Sequence, residues 1–171
     1  MKKINFFITF FIFIIFALPL HSNEKIKNTN EHEFSVYSGM FDFSDHGQRA
    51  ALIGFQHQNE MLQRDSFLGT LSPITGFIIT ENNASYVYTG IQAQYRIGNI
   101  NIVPSFTPGI YDEGKGKDLG HALEFKSEVQ LSFDIFKNSE LGFSYNHISN
   151  ASLGDKNPGA NSYMFNFIKQ F

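Results

Sequence analysis

Between Leu119 and Asp134 the chain changes character at every residue. Odd positions hold Leu119, His121, Leu123, Phe125, Ser127, Val129, Leu131 and Phe133. Even positions hold Gly120, Ala122, Glu124, Lys126, Glu128, Gln130, Ser132 and Asp134. One face is almost wholly apolar and the other carries charges of both signs. A period of two is the mark of a β-strand, whose successive side chains point to opposite faces. The run outlasts the strands of about 3–10 residues usual in globular proteins. A strand of this kind lies between two different environments.

The same alternation recurs after residue 33 and divides the chain into eight segments, 33–43, 49–59, 66–80, 84–97, 99–110, 119–135, 139–149 and 160–171. The connectors alternate as well. IGN around Gly98 and KNS around Asn138 are tight turns, whereas YDEGKGKD and ASLGDKNPG are longer and rich in Gly and charge. An even number of strands with short turns at one end and long loops at the other is the pattern of outer-membrane barrels. The turn from Gln58 to Asp65 is longer than that pattern expects. Pro104 and Pro108 predict a bulge or bend in the fifth strand, because proline donates no ladder hydrogen bond. Alternation alone also admits a soluble lipocalin-like barrel with its apolar face inward. The C-terminal strand favours the membrane, since Tyr163, Phe165, Phe167 and Phe171 share a face and the chain ends in Phe. The expected fold is therefore all-β, an eight-stranded antiparallel transmembrane β-barrel. Its narrow interior would be filled by side chains. Glu124, Lys126, Glu128 and Asp134 are expected there with Arg49 or Arg96 as partners, alongside Gln92 and Gln94, as a structural polar core.

Composition agrees. The chain has 20 Phe and 7 Tyr yet is only 42% hydrophobic, so its apolar residues are spread over strand faces and not gathered into helical spans. With 171 residues it forms one domain. It has no Cys, which excludes disulfides and cysteine metal sites, and its formal charge of −3 gives no reason to expect nucleic acid as a partner. The histidines match no metal-binding spacing, and His57 and His121 read as interface residues on apolar faces. No cofactor or metal is expected. At the N-terminus, Lys2 and Lys3 precede the apolar run INFFITFFIFIIFALPL and then polar HSNEK. This predicts a signal peptide over 1–22, cleaved near Ser22, and a barrel over 23–171. The competing reading is an uncleaved anchor helix, for which the run is slightly short.

The seventh segment poses the functional question. His147 and Ser149 share a face with Phe143 and Tyr145, and Asn161 is in phase with Tyr163, Phe165 and Phe167 on the eighth. Three polar residues are thus placed on the lipid-facing side, where polar groups are costly. With both termini periplasmic, all three converge at the outer leaflet. Histidine is the usual base that activates a serine nucleophile, and Asn150 has a side-chain donor suited to an oxyanion. The plain alternative is a histidine and a serine at a barrel rim.

The stretch HISNASLGDKNPGAN (147–161), with PSFTPGIY (104–111), GKGKDLG (114–120) and Glu124-Phe125, resembles the lipid A 3-O-deacylase family. The resemblance is strongest over residues 104–171. It implies an eight-stranded barrel in the outer membrane of a Gram-negative cell, embedded in the bilayer, with lipopolysaccharide (lipid A) as substrate and a serine–histidine–acid triad on the outer face. It makes Ser149 the nucleophile, His147 the base and Asn150 the oxyanion donor. The family's acid falls on Asn161, a departure from its glutamate. Three readings stay open: Asn161 orients His147, Asp155 supplies the acid, or the barrel is a catalytically inactive structural or partner-binding one. Lys115 and Lys117 are expected as solvated loop residues or as contacts to lipid A phosphates. A homodimer is the expected protein assembly.

Overall fold

A computed structural model describes residues 32–171. The expected signal peptide lies outside the described residues. The strands are β1 (His32–Phe41), β2 (Ala50–Asn59), β3 (Arg64–Ser66), β4 (Gly69–Thr80), β5 (Ser85–Ala93), β6 (Tyr95–Ile97), β7 (Ile100–Asp112), β8 (Leu123–Phe136), β9 (Ser139–Ser149) and β10 (Ala160–Gln170). All pairings are antiparallel, β1 pairs with both β2 and β10, and β2 pairs with β4. The sheet is therefore closed. β3 prolongs the β2 stave and β6 the β5 stave beyond short interruptions, so the barrel has eight staves, as the alternation predicts. The long Gln58–Asp65 connection contains a 3₁₀ turn, Glu60–Leu62.

The two faces are inverted relative to a soluble protein. Val36, Ile53, Val87, Ile110, Leu131, Phe133, Phe143 and Phe165 are exposed on the outer wall. Gln56, Gln92, Asn101, Lys126, Glu128, Gln130, Ser144 and Asn166 are buried in the lumen. The lipocalin alternative fails on this polarity, and a lipid-facing exterior accounts for it. The lumen itself has two parts. Toward the long loops it is closed by an apolar cluster that includes Tyr37, Phe41, Leu52, Ile78, Tyr86, Tyr88, Tyr111, Leu119 and Met164. Glycines make room for these rings: a Cβ on Gly54 would stand 2.1 Å from Tyr37, and one on Gly109 would stand 2.6 Å from Tyr86. Toward the short turns the filling is polar, with Asn101 and Ser132 both donating to Glu140 at 2.9 and 2.6 Å.

Several expectations are corrected. Lys126 pairs with Glu128 in the lumen at 3.0 Å, but Asp134 pairs with Arg96 on the exposed short-turn rim. Arg49 is exposed in the first long loop. The prolines produce no bulge. The β7–β8 ladder runs through Pro104 and Pro108 in register, and the gaps fall on the other side, where the β5 pairing skips Thr89 and Gly90 and breaks at Ala93 and Gln94. The missing proline N–H is absorbed as a ladder gap. The irregularity lies instead between Asp134 and Phe136. The sixth stave begins at Leu123, not Leu119. Gly120 adopts φ +91°, which leaves the extended region, and Leu119 turns inward to be buried. His121 consequently sits in the loop, where its Nδ1 accepts the Leu123 N–H at 2.9 Å.

Candidate active site

His147 lies near the long-loop end of β9, flanked by Asn161 of β10 and Ser127 of β8 in the ladder. The His147 and Tyr145 side chains are exposed, and those of Ser149 and Asn161 are half-buried. All four project outward, as the period of two dictates. Asn161 Oδ1 accepts two hydrogen bonds, from His147 Nδ1 at 2.8 Å and from the Tyr145 hydroxyl at 2.8 Å. A carbonyl oxygen offers only lone pairs, so the proton of the imidazole sits on Nδ1. That leaves Nε2 with a free lone pair, the form a general base requires. Asp155 is exposed in the loop and, among the described residues, makes no hydrogen bond to His147.

Gly159 completes the seat of the imidazole. It adopts φ +63°, and a Cβ there would come within 2.8 Å of His147 Cε1 and 3.2 Å of Nε2. Only glycine combines that backbone with that proximity.

Ser149 ends β9, paired with Phe125. The chain then turns sharply, with Ala151 at φ +53° and Ser152 at φ +67°. Two successive non-glycine residues in the left-handed region store roughly 1 kcal/mol of strain each. Asn150 holds this turn. Its Nδ2 donates to Leu119 O at 2.8 Å and Lys156 O at 2.9 Å, and its Oδ1 accepts the Ser152 N–H at 2.9 Å. Its own N–H goes to Asn157 Oδ1 at 3.1 Å. Both side-chain hydrogens are thereby occupied and the residue is fully buried. In this arrangement Asn150 pins the loop that carries the serine, and the oxyanion role expected of its side chain would require one of these hydrogen bonds to be exchanged. Asp118 and Lys156 clamp the same pair of loops at 2.5 Å. The Lys156 hydrogen bond and the Gly120 N–H hold the Asp118 carboxyl below its ordinary value.

Of the two loop lysines, Lys117 is engaged by Asp42 at 2.6 Å and Asp45 at 3.6 Å, and Lys115 is exposed. Among the described residues no group of three or more His, Cys, Asp or Glu side chains has the geometry to hold a metal ion. The sequence reading missed Tyr145, whose position two residues before His147 on the same face was the available signal. It also missed Gly159, for which no local signal exists.

A family model described as lipid A 3-O-deacylase (PagL) matches residues 50–169. No curated protein matches the chain. Among solved structures, the crystal structure of the outer membrane enzyme PagL aligns with a TM-score of 0.62 at 15% identity, over 81% of this chain and 99% of that one. A de novo designed transmembrane β-barrel aligns at 0.55 with 8% identity, over 81% and 95%. Neisserial surface protein A (NspA) aligns at 0.52 with 9% identity, over 82% and 96%.

Proposed function

Because the chain belongs to the lipid A 3-O-deacylase family, matched over residues 50–169, we propose that Ser149, His147 and Asn161 are the groups with which it hydrolyses the 3-O-acyl ester of lipid A. The protein is an outer-membrane hydrolase. Its substrate occupies the outer leaflet, where the long loops and these three side chains stand.

The observation that supports the assignment is the 2.8 Å contact between His147 Nδ1 and Asn161 Oδ1, which implies a proton on Nδ1. With Nδ1–H committed to Asn161, Nε2 keeps its lone pair, and Ser149 follows two residues along the same face. Ser149 Oγ attacks the acyl carbonyl carbon while Nε2 takes its proton. The tetrahedral intermediate collapses, and the imidazolium returns that proton to the departing sugar oxygen. Water, deprotonated by Nε2, then attacks the acyl-enzyme and releases the carboxylic acid and the serine. In this structure no hydrogen bond joins Ser149 to His147 among the described residues; such bonds tighten when substrate is bound. Asn161 and Tyr145 hold the ring, and Asn150 holds the serine's loop.

The test is refolded chain in detergent incubated with lipopolysaccharide, read by mass spectrometry. Loss of one 3-hydroxyacyl group is expected, and Ser149→Ala should show none. Continued release by Ser149→Ala would overturn the serine assignment.

A further inference from the structure

An asparagine beside a catalytic histidine poses a problem that a carboxylate does not. A carboxylate only accepts, so it always draws the proton to Nδ1. An amide has an accepting end and a donating end of nearly equal shape. If Asn161 turned its NH₂ toward His147, the imidazole would carry its proton on Nε2, and the base would be lost. Something must fix the direction of the amide.

Asn161 Nδ2 donates to Ser44 Oγ at 3.1 Å, and Ser44 Oγ donates to Asp42 Oδ1 at 3.4 Å. Asp42 is 1% exposed, and its Oδ2 receives Lys117 Nζ at 2.6 Å. Asp42 Oδ1 also accepts the Asn161 N–H at 3.3 Å, and the Phe43 N–H donates to Asn161 O at 2.9 Å. The first long loop is thus bound to Asn161 through both backbone and side chain. Asp42 itself sits at φ +48°, a left-handed conformation that its surroundings must impose.

We propose that Asp42, acting through Ser44, is a positioning residue that fixes the amide direction of Asn161 and thereby the tautomer of His147. The carboxylate can only accept, so the single Ser44 proton points to it. Ser44 then has only lone pairs for Asn161, which must present its NH₂ to the serine. Its Oδ1 is left facing His147 and Tyr145, and the imidazole proton is held on Nδ1. Lys117 keeps the carboxylate in place. Asp42 and Ser44 lie outside residues 50–169, so the family match says nothing of them. The inference deepens the serine hydrolase reading and rests on it for its consequence in turnover, but the tautomer can be observed without turnover.

The test uses the full barrel in detergent with ¹⁵N-labelled histidine. Nitrogen NMR of His147 at a pH where it is neutral should show the Nδ1–H form in the wild type. Ser44→Ala and Asp42→Asn should each move a substantial fraction to Nε2–H, and Ser44→Thr, which keeps the hydroxyl, should restore most of the Nδ1–H form. An Nδ1–H population equal to wild type in Ser44→Ala would overturn the proposal, whether or not the chain hydrolyses lipid A. In the lipopolysaccharide assay, Ser44→Ala should lower kcat by at least about fivefold with KM unchanged, since a minority base tautomer reduces competent enzyme. In an Asn161→Ala background the same change should cost nothing further. Additive losses would mean that Ser44 acts on the loop and not through Asn161, and would also overturn it.

Discussion

Histidines decorate the outer wall at both ends of this barrel, and they differ instructively. Near the short-turn end, His32 Nδ1 and His57 Nε2 meet at 3.0 Å, and His57 stacks on Phe34 with ring centroids 4.8 Å apart. Each of those imidazoles can donate or accept, so this contact selects no tautomer, and neither has a serine two residues along its face. At the long-loop end, His147 faces an oxygen that only accepts, and Ser149 follows on the same strand. An outward histidine on a barrel is thus no site by itself. On the proposed reading it becomes one when its partner dictates which nitrogen holds the proton and a serine follows on the same face.

The contrast can be broken most sharply by exchange of function. Ser149→Ala should lower deacylation by at least about 10³-fold, while His57→Ala should leave the rate within about twofold. Equal losses from the two would erase the distinction between the ends, and mass spectrometry of treated lipopolysaccharide measures both. Gly159→Ala comes next. Its Cβ would press on the His147 ring from a left-handed backbone, so a fall in kcat of roughly tenfold or more and a loss of about 1 kcal/mol in stability are expected. Urea unfolding in detergent, with heat-modifiable gel mobility, separates the second effect from the first. Asn161→Asp replaces the amide by a carboxylate of the same shape, which accepts from His147 and Tyr145 and competes with Asp42 for the single Ser44 proton. It should raise kcat by up to about tenfold, because a hydrogen bond to a charged partner is the stronger one. A fall would show that the amide is the better partner beside Asp42.

The smallest effect concerns the loop clamp. The Asp118 carboxyl is held below its ordinary value, so its contribution is present above the ordinary Asp range and is lost as pH falls through the folded value. Amides of Ser152 and Leu153 should exchange faster below about pH 4 in the wild type, and Asp118→Asn should remove that pH dependence. An unchanged pH response in Asp118→Asn would assign it to other carboxylates.

The candidate site was partly legible in the chain. His147, Ser149 and Asn161 fell on one face because a period of two is imposed by the extended backbone, and the ladder pairs Asn161 with His147 as that phase predicts. That Asn150 also pins the serine's loop was not legible, because its neighbours in sequence do not reveal its partners, which are carbonyls of two separate loops. Alternation was extended too far at Leu119, since a glycine turn interrupts a strand without changing its hydrophobic pattern.

By itself the sequence determined the number of staves and the alternation of their two faces, and the C-terminal aromatics favoured the apolar face outward; the burial of polar side chains in the lumen decided it. Stave number and alternation follow from local periodicity and from the cost of leaving backbone groups unpaired in lipid. Only the tertiary structure decided which end of each amide faces which partner. Closure of the sheet brings the loop after β1 against β10, so that Asp42 and Ser44 reach Asn161 across more than a hundred residues. Hydrogen-bond direction is set by such contacts between distant segments, and no local pattern of residue types encodes it.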